Sequence, residues 1–311
     1  MPGISVVIGA TRAQTLPDTL QSLLEQTYQD WELIVVDQSH DNAIADLLAS
    51  LHDPRLRHLP LSTRGLSQAR NAGLEASRAE IVAFTDDDCQ PTPDWLADLQ
   101  AVFAGGEADM VFGPVVAPAG YDPGTGFCPT HPVERVQRYT WQALAADQGV
   151  GIGANMSLRR RAFEVVGPFD TTLGAGSPLI PSGEETDYQL RVLAHGLYLL
   201  SAPIASVVHT YGVRPGEAGK RLQQQGNFAV GAVHEKLLLA PYGAGARSYL
   251  KQLYGRLFRQ VLLNLLRGRR RHLGLNRLRA MLAGRAYVRR RFDVSDEGLL
   301  VPRSQVIRLS A

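Results

Sequence analysis

Three consecutive carboxylates, Asp86, Asp87 and Asp88, directly follow an apolar run at 81–85. Adjacent negative charges repel one another, so this group needs a counter-cation, and hard divalent cations prefer oxygen ligands. Asp86 and Asp88 are therefore candidate ligands of Mn²⁺ or Mg²⁺ beside a phosphorylated substrate. The alternative is a solvated acidic turn, because charge runs usually face water.

Strand and helix patterns alternate on both sides of this acidic group. Apolar runs at 4–8, 32–36 and 81–85 predict strands, the segment 55–59 could be a further strand, and the segments 16–24, 41–51, 66–77 and 93–103 have helical spacing. This alternation predicts parallel βαβ units and therefore a Rossmann-like, doubly wound α/β sheet flanked by helices. Asp37 and Asp86, which follow two of the strands, are expected at the same sheet edge, where a nucleotide could bridge them.

The next part of the chain has a less regular pattern. From about 112 to 183 it is rich in Gly and Pro, and loops of that length in a compact domain are usually functional. A helical segment at 186–195 and an apolar stretch at 202–208, which ends at His209, follow.

The composition indicates a globular protein with a large core. Of the 311 residues, 45% are hydrophobic, and two cysteines, Cys89 and Cys128, offer neither a disulfide framework nor a cysteine metal cage. The first residues lack the basic and apolar segments of a secretory signal, and no apolar run approaches the roughly 20 residues that span a bilayer. We expect a cytoplasmic location.

The net charge of +2 conceals a strong asymmetry. Residues 1–235 contain 15 Lys and Arg against 27 Asp and Glu, a net charge of −12, whereas residues 236–292 contain 15 Lys and Arg and no acid. The sequence therefore predicts an acidic domain at 1–235 and a basic helical region at 236–311.

Several ordered motifs resemble those of the inverting family 2 glycosyltransferases, which have the GT-A fold. The likeness covers about 4–231 and is carried by the segments 4–8, 22–28, 32–37, 65–71, 84–88, 93–96, 153–155, 167–170 and 183–187. It implies a nucleotide-binding half at 1–110, an acceptor half at 111–235, and metal-dependent transfer from a nucleotide-diphosphate sugar, with uridine as the expected base. Saccharide or lipid-linked acceptors are common in this family.

The resemblance implies roles for individual residues, with Glu185 as general base beside Glu184. The neighbouring acids are expected to raise the proton affinity of Glu185. The other implied roles are nucleotide binding by Thr11, Arg12, Asp37, Arg70, Asn71, Asp86 and Asp87, metal binding by Asp86, Asp88 and His209 with Arg214 as a weaker companion, and a sugar pocket at Trp95, Asn155 and Asp187.

Each assignment has a structural alternative. Asp37 could be a turn acid, Arg70 a surface arginine paired with Glu75 or Asp86, and His209 a structural histidine. The acids at 184–187 could simply cap the following helix, and Trp95 could belong to the core.

Two positions depart from the usual family pattern. Gln38 follows Asp37 where a second acid is common, and Glu185 stands where the family usually has Asp. The first loop, at 9–12, is also one residue shorter than usual. Two rival functions therefore stay open: a nucleotidyltransferase, for which this loop is a poor triphosphate cradle, and a non-catalytic nucleotide-sugar-binding homologue.

The basic region has an amphipathic helical pattern. Its apolar residues fall at 250, 253, 254, 257, 258, 261, 262 and 265, with basic residues off that stripe and a further arginine run at 267–271. These helices could pack on the acidic domain, form a homodimer contact, or dock segment 247–291 on an anionic membrane. We favour membrane docking, peripheral on the inner face, and disfavour nucleic acid because the rest of the chain is acidic.

Overall fold

The computed structural model describes residues 1–146, 149–266 and 273–303. The strands are β1 (Ile4–Ala10), β2 (Trp31–Asp37), β3 (Leu56–Pro60), β4 (Ile81–Phe84), β5 (Gln90–Pro91), β6 (Met110–Phe112), β7 (Val115–Val116), β8 (Gln137–Tyr139), β9 (Met156–Arg159), β10 (Leu199–Ser201), β11 (Val207–Val208), β12 (Phe292–Val294) and β13 (Leu300–Pro302). The helices are α1 (Leu16–Leu24), α2 (Ala43–Ser50), α3 (Leu66–Ala76), α4 (Trp95–Ala104), α5 (Trp141–Ala146), α6 (Arg160–Val166), α7 (Glu184–Ala194), α8 (Gly216–Leu239), α9 (Gly243–Leu266) and α10 (Leu273–Arg291).

An eight-stranded sheet forms the centre, in the order β3-β2-β1-β4-β9-β6-β10-β8. Strands β1 to β4 are parallel, β9 is antiparallel to both β4 and β6, and β8 is antiparallel to β10. The register pairs Ala10 with Asp37 and Val7 with Phe84, so the chain leaves β1, β2 and β4 at one edge. The predicted α/β sheet and the common edge of Asp37 and Asp86 are confirmed.

Residues alternate between the two faces of the sheet, as the pleat requires. Val7, Ile34 and Phe84 belong to one apolar core, and Ile8, Val35 and Ala83 belong to the other. The first core also contains residues of α3 and α7–α10, and the second contains residues of α1, α2 and α4. Both faces of the sheet are thereby covered, which explains the nearly continuous apolar strand sequences.

The four early strands and helices lie within two residues of their predicted bounds, whereas the later ones differ more. The stretch 202–208 is not one strand, because β10 ends at Ser201 in the main sheet and β11 pairs with β5 and β7 in a separate three-stranded sheet. Pro203 lies between these strands and lacks the N–H that a central strand would need.

Helix α8 crosses the predicted division at 235 without interruption. It packs closely on α10: a Cβ on Gly231 would lie 1.9 Å from the Met281 carbonyl oxygen, and a Cβ on Gly284 would lie 1.9 Å from that of Phe228. Arg285 and Arg289 each pair with the buried Glu235, at 2.8 and 2.7 Å. Part of the basic region therefore packs inward, while the arginine run at 267–271 lies outside the described residues.

A buried lysine joins the C-terminal segment to the rest of the protein. The Nζ atom of Lys236 lies 2.8 Å from Asp170 and 2.7 Å from Asp187, and the Asp170 carboxylate also accepts a hydrogen bond from the Leu300 N–H at 2.8 Å. Desolvation opposes ionisation of Asp170, yet Lys236 holds the pKa of this carboxyl below its usual range. One ammonium group thus links the loop before α7, helices α7 and α8, and the hairpin β12–β13.

Within the three described ranges, none of the helices combines the length and apolar character needed to cross a membrane.

The substitution Lys236→Met tests the importance of this buried cluster. It leaves two buried carboxylates without their common counter-charge, so we expect it to lower the free energy of unfolding by about 3–5 kcal/mol. Urea unfolding measures the effect, with the exposed Lys251→Met as control, expected within about 0.5 kcal/mol of the unsubstituted protein. Equal stability of the two variants would contradict this role.

Candidate active site

The first part of the site is the acidic turn after β4. The Asp86 side chain is 29% exposed, and its Oδ1 lies 3.8 Å from Nη2 of Arg70. Desolvation, the largest influence, raises the pKa of Asp86, while Arg70 opposes that shift. Desolvation and the two flanking acids raise the pKa of Asp87 to about 7, with Arg12 and a Thr11 backbone hydrogen bond acting in the opposite direction.

Asp88 is buried beside His209. Nε2 of His209 lies 3.4 Å from Oδ1 of Asp88, and Nδ1 lies 3.2 Å from the Pro129 carbonyl oxygen, to which a protonated Nδ1 donates. Desolvation opposes both charges, yet the pairing lowers the pKa of Asp88 and raises that of His209. Arg214, predicted as a weaker companion, contributes at 3.9 Å from Asp88.

The donor atoms here suit a hard divalent cation. Ligand atoms of Asp88, Cys89 and His209 lie within 4.8 Å of one another. Desolvation raises the pKa of the Cys89 thiol well above its usual value, so the thiol stays protonated, directed at Asp88 Oδ1 at 3.6 Å. This leaves carboxylate oxygen and imidazole nitrogen as ligands, which Mn²⁺ accepts. Of the predicted ligands, Asp88 and His209 are together, while Asp86 lies on the side of Arg70.

Arg70 connects the acidic turn to a second pair of acids. Its side chain is buried, and Nη1 donates to Oε1 of Glu184 at 2.8 Å. The guanidinium also lies 5.8 and 5.7 Å from the ring centroids of Phe84 and Phe169, within cation–π range. The alternative of a surface arginine is therefore wrong. Glu184 already occupies part of the Arg70 guanidinium. The predicted contact between Arg70 and a phosphate stays a prediction.

Glycine at 153 makes room for this arginine. A Cβ there would lie 2.5 Å from Nη2 of Arg70, so any larger residue would displace the guanidinium. Asn71, in the next position of α3, donates to the Phe169 carbonyl oxygen at 2.9 Å and accepts from its N–H at 2.8 Å. Both ends of its amide are used in this way, so Asn71 positions Phe169, and its role in nucleotide binding stays a prediction.

Glu184 and Glu185 occupy the first turn of α7, where the helix dipole favours acids. The preceding Gly183 has φ +90°, a left-handed conformation that glycine adopts without strain. Desolvation, followed by the charge of Glu184, raises the pKa of Glu185. The predicted direction is confirmed, although burial is the main cause and Asp187 faces Lys236 instead.

The predicted sugar pocket at Trp95, Asn155 and Asp187 is wrong. Trp95 is fully buried and donates through Nε1 to Oδ1 of Asn155 at 2.8 Å, and the Asn155 amide donates in turn to the Pro114 carbonyl oxygen at 3.0 Å. Asp187 belongs to the buried Lys236 cluster. All three side chains are buried and contact other described residues of the interior.

Asp37 lies at the sheet edge with its carboxylate partly engaged. It pairs with Nε2 of His58 at 2.8 Å and accepts the Ser39 N–H at 2.8 Å, and although desolvation opposes it, the net effect lowers the pKa of Asp37. It is thus a turn acid at the same edge of the sheet as Asp86. Thr11 and Arg12 follow β1 at this edge and are exposed.

Sequence reasoning missed three side chains of the site. His58 lies inside the predicted third strand, and a polar residue within a strand next to Asp37 was its signal. Phe169 lies in the noted 167–170 motif, but only the fold stacks it at 4.1 Å on Tyr188, beside Arg70. Lys236 had no local signal, because its partners Asp170 and Asp187 are distant in sequence.

Comparisons with known proteins agree with this fold. A family profile described as "Glycosyl transferase family 2" matches residues 5–167. A Haloferax volcanii protein named "Glucosyl-dolichyl phosphate glucuronosyltransferase" is 27% identical over 186 residues, which are 55% of this chain and 57% of that protein. The Escherichia coli protein "UDP-Glc:alpha-D-GlcNAc-diphosphoundecaprenol beta-1,3-glucosyltransferase WfaP" is 30% identical over 87 residues, 27% of this chain and 35% of that one.

Solved structures of S. aureus TarS share the fold. One superposes with a TM-score of 0.59 at 17% identity, covering 82% of this chain and 43% of TarS. TarS 1–349 in complex with UDP gives 0.57 at 16% identity and covers 82% of this chain and 72% of that one. At such identities the likeness establishes the fold alone. With a profile match over half of its length and the expected GT-A architecture, this chain belongs to glycosyl transferase family 2.

Proposed function

We propose that the protein transfers a sugar from a nucleotide diphosphate, with UDP as the expected carrier, to an acceptor hydroxyl, with inversion at the anomeric carbon. The observation that carries this proposal is the position of Arg70, which contacts Asp86 of the acidic turn and Glu184 of the acid pair. The Arg70 guanidinium reduces the repulsion between the two acidic groups. A diphosphate site and a general base can therefore lie side by side. In this proposal 1–110 holds the nucleotide and 111–235 faces the acceptor.

The donor would bind across the edge formed by β1, β2 and β4. The Asp37–His58 pair is available to the ribose or base, and Thr11 and Arg12 are exposed next to it. The fold relative TarS has been solved with UDP and with UDP-GlcNAc, which supports a uridine nucleotide here.

Asp88 and His209, with Asp86 on the opposite side, would hold Mn²⁺ or Mg²⁺. The cation would neutralise charge on the departing diphosphate as a Lewis acid. The hydrogen bond at Nδ1 of His209 leaves Nε2 directed at Asp88, an orientation that metal-binding histidines commonly have.

Glu185 would act as the general base. Glu184 is held by Arg70 and is the less available of the two, whereas Glu185 is half-buried and has a raised pKa. Glu185 accepts the proton of the acceptor hydroxyl while that oxygen forms a bond to the anomeric carbon. The bond from the anomeric carbon to the diphosphate breaks on the opposite face, and the diphosphate retains the bonding electrons.

Both relatives described above carry names that specify polyprenyl-linked saccharides, which supports a lipid-linked acceptor. The exposed side of α9 fits a membrane location: Phe258, Leu262 and Leu266 are spaced four residues apart and are 53%, 56% and 74% exposed. Lys251 and Arg259 flank this stripe, and each basic residue near an anionic surface contributes on the order of 1 kcal/mol. We propose that α9 docks the protein on an anionic membrane face.

The substitution Glu185→Gln tests the base. It removes the proton acceptor but keeps the side-chain shape, so we expect kcat to fall by about 10²–10⁴ while UDP binding in Mn²⁺ persists. Steady-state donor turnover and calorimetric UDP binding measure the two effects. Exposed Glu164→Gln on α6 is the control, expected to leave both unchanged. Unchanged kcat in Glu185→Gln would refute the assignment.

Membrane docking is tested by cosedimentation with anionic vesicles. The double substitution Phe258→Ser and Leu262→Ser removes two exposed apolar side chains, so we expect vesicle binding to weaken at least about tenfold. Val136→Ser removes an equally exposed apolar side chain outside the basic region and is expected to have no effect. Failure of the unsubstituted protein to bind at low salt, or equal binding by all variants, would refute the docking.

A further inference from the structure

A cavity of about 360 Å³ lies between the loop at 149–151 and helices α5, α7, α8, α9 and α10. Its volume is within the range of small-molecule sites. Apolar side chains, including Leu144, Val230, Leu253 and Met281, form part of the wall. None of the predicted site residues lines this cavity, so the catalytic roles above leave it unused.

Three chain segments lead from the candidate active site into this cavity. On α7, Glu185 is followed by Thr186 and Gln189, which line the cavity. The loop that contributes residues 149–151 continues to Gly153, next to Arg70. The segment from Pro129, which accepts the His209 hydrogen bond, reaches the cavity at His131. The cavity wall is therefore continuous along the chain with the proposed general base.

The charged part of the lining is positive. Arg256 and Arg277 contribute to the wall, and no Asp or Glu does so among the residues the structure describes. Arg256 donates through Nη1 to the Ala146 carbonyl oxygen at 3.0 Å, which leaves its other N–H groups for a ligand. Nε of Arg277 is buried and has no hydrogen-bond partner among the described atoms. Each guanidinium group can donate two parallel hydrogen bonds to a phosphate.

A buried amide also faces the cavity without a partner. Gln189 is 6% exposed, lines the wall, and its Oε1 accepts no hydrogen bond from any described residue. Leaving such a group unpaired costs free energy, so a ligand hydroxyl is the expected donor. Gln189 lies one helical turn from Glu185, which suits a saccharide whose reacting hydroxyl points to the base.

The wall contains two histidines, His131 and His234, and His234 adds no charge. His234 is buried between the hydroxyl groups of Tyr254 and Tyr249, at 3.3 and 3.4 Å. Burial, followed by the charges of Arg285 and Arg277, lowers the pKa of His234 to about 3, so the imidazole is neutral. Arg256 and Arg277 therefore carry positive charge at this wall without a contribution from His234.

We propose that this cavity binds the acceptor and that the acceptor is a saccharide bearing a phosphate ester, contacted by Arg256 and Arg277. This inference rests on the proposed function, since it assigns the second substrate of the same site. The phosphate could belong to a lipid carrier or to a soluble sugar phosphate, and both present the same group to the arginines.

Calorimetric binding of three probes, in the presence of UDP and Mn²⁺, tests the proposal. Octyl glucosyl phosphate carries sugar, phosphate and alkyl chain, octyl glucoside lacks the phosphate, and glucose 1-phosphate lacks the chain. We expect octyl glucosyl phosphate to bind at least about tenfold more tightly than octyl glucoside, because charged hydrogen bonds are the stronger ones. Glucose 1-phosphate binding equally well would identify a soluble acceptor, and weaker binding would identify a lipid carrier; either supports the phosphate site.

Substitutions in the cavity wall test which side chains bind each probe. Arg277→Met and exposed Arg256→Met are each expected to weaken octyl glucosyl phosphate about tenfold and to leave octyl glucoside unchanged, and Gln189→Leu to weaken both probes. Arg259→Met, on the same helix as Arg256 but outside the cavity wall, is the control. No preference for the charged probe, or an equal loss in Arg259→Met, overturns the inference. Because UDP binding is measured in the same samples, its absence would instead refute the proposed function.

Discussion

The whole site depends on the repulsion among carboxylates gathered at one end of the central sheet. Asp86, Asp87 and Asp88 leave β4 there, and Glu184 and Glu185 begin α7 nearby. The buried guanidinium of Arg70 lies between the two groups, in contact with Asp86 and Glu184. An unpaired buried charge costs free energy. Each of the two acid groups therefore stabilises the buried charge of Arg70, and Arg70 in turn stabilises both groups. The glycine at 153 and the rings of Phe84 and Phe169 complete its surroundings.

A second buried cation neutralises acids on helix α7 and in the loop before it in the same way. Lys236 neutralises Asp170 and Asp187, and so connects α7, whose first turn carries the proposed base, to α8 and to the C-terminal hairpin. Glu235, its neighbour on α8, pairs with Arg285 and Arg289 of α10. Part of the basic region therefore neutralises acids inside the protein. The summed charge of the sequence could not distinguish such internal ion pairs from an external binding surface.

Local pattern was enough to predict the first half of the fold and the acidic turn. Strands β1, β2 and β4 have buried apolar runs, so their positions and the shared edge of Asp37 and Asp86 followed from periodicity. The errors concern side chains whose partners are distant in sequence. Trp95 and Asn155 satisfy each other across 60 positions, and Asp187 turns to Lys236 rather than to Glu185. Neither spacing nor composition contains that information, because tertiary packing decides it.

The central claim is that Arg70 allows the acidic turn to serve as a metal and diphosphate site beside the base. Anomalous diffraction from crystals grown with Mn²⁺ and UDP tests it most directly. The account predicts a manganese peak in contact with Asp88 and Nε2 of His209, with the Arg70–Glu184 ion pair retained. A manganese peak elsewhere, or UDP bound away from the edge that carries Asp37 and Asp86, would contradict it.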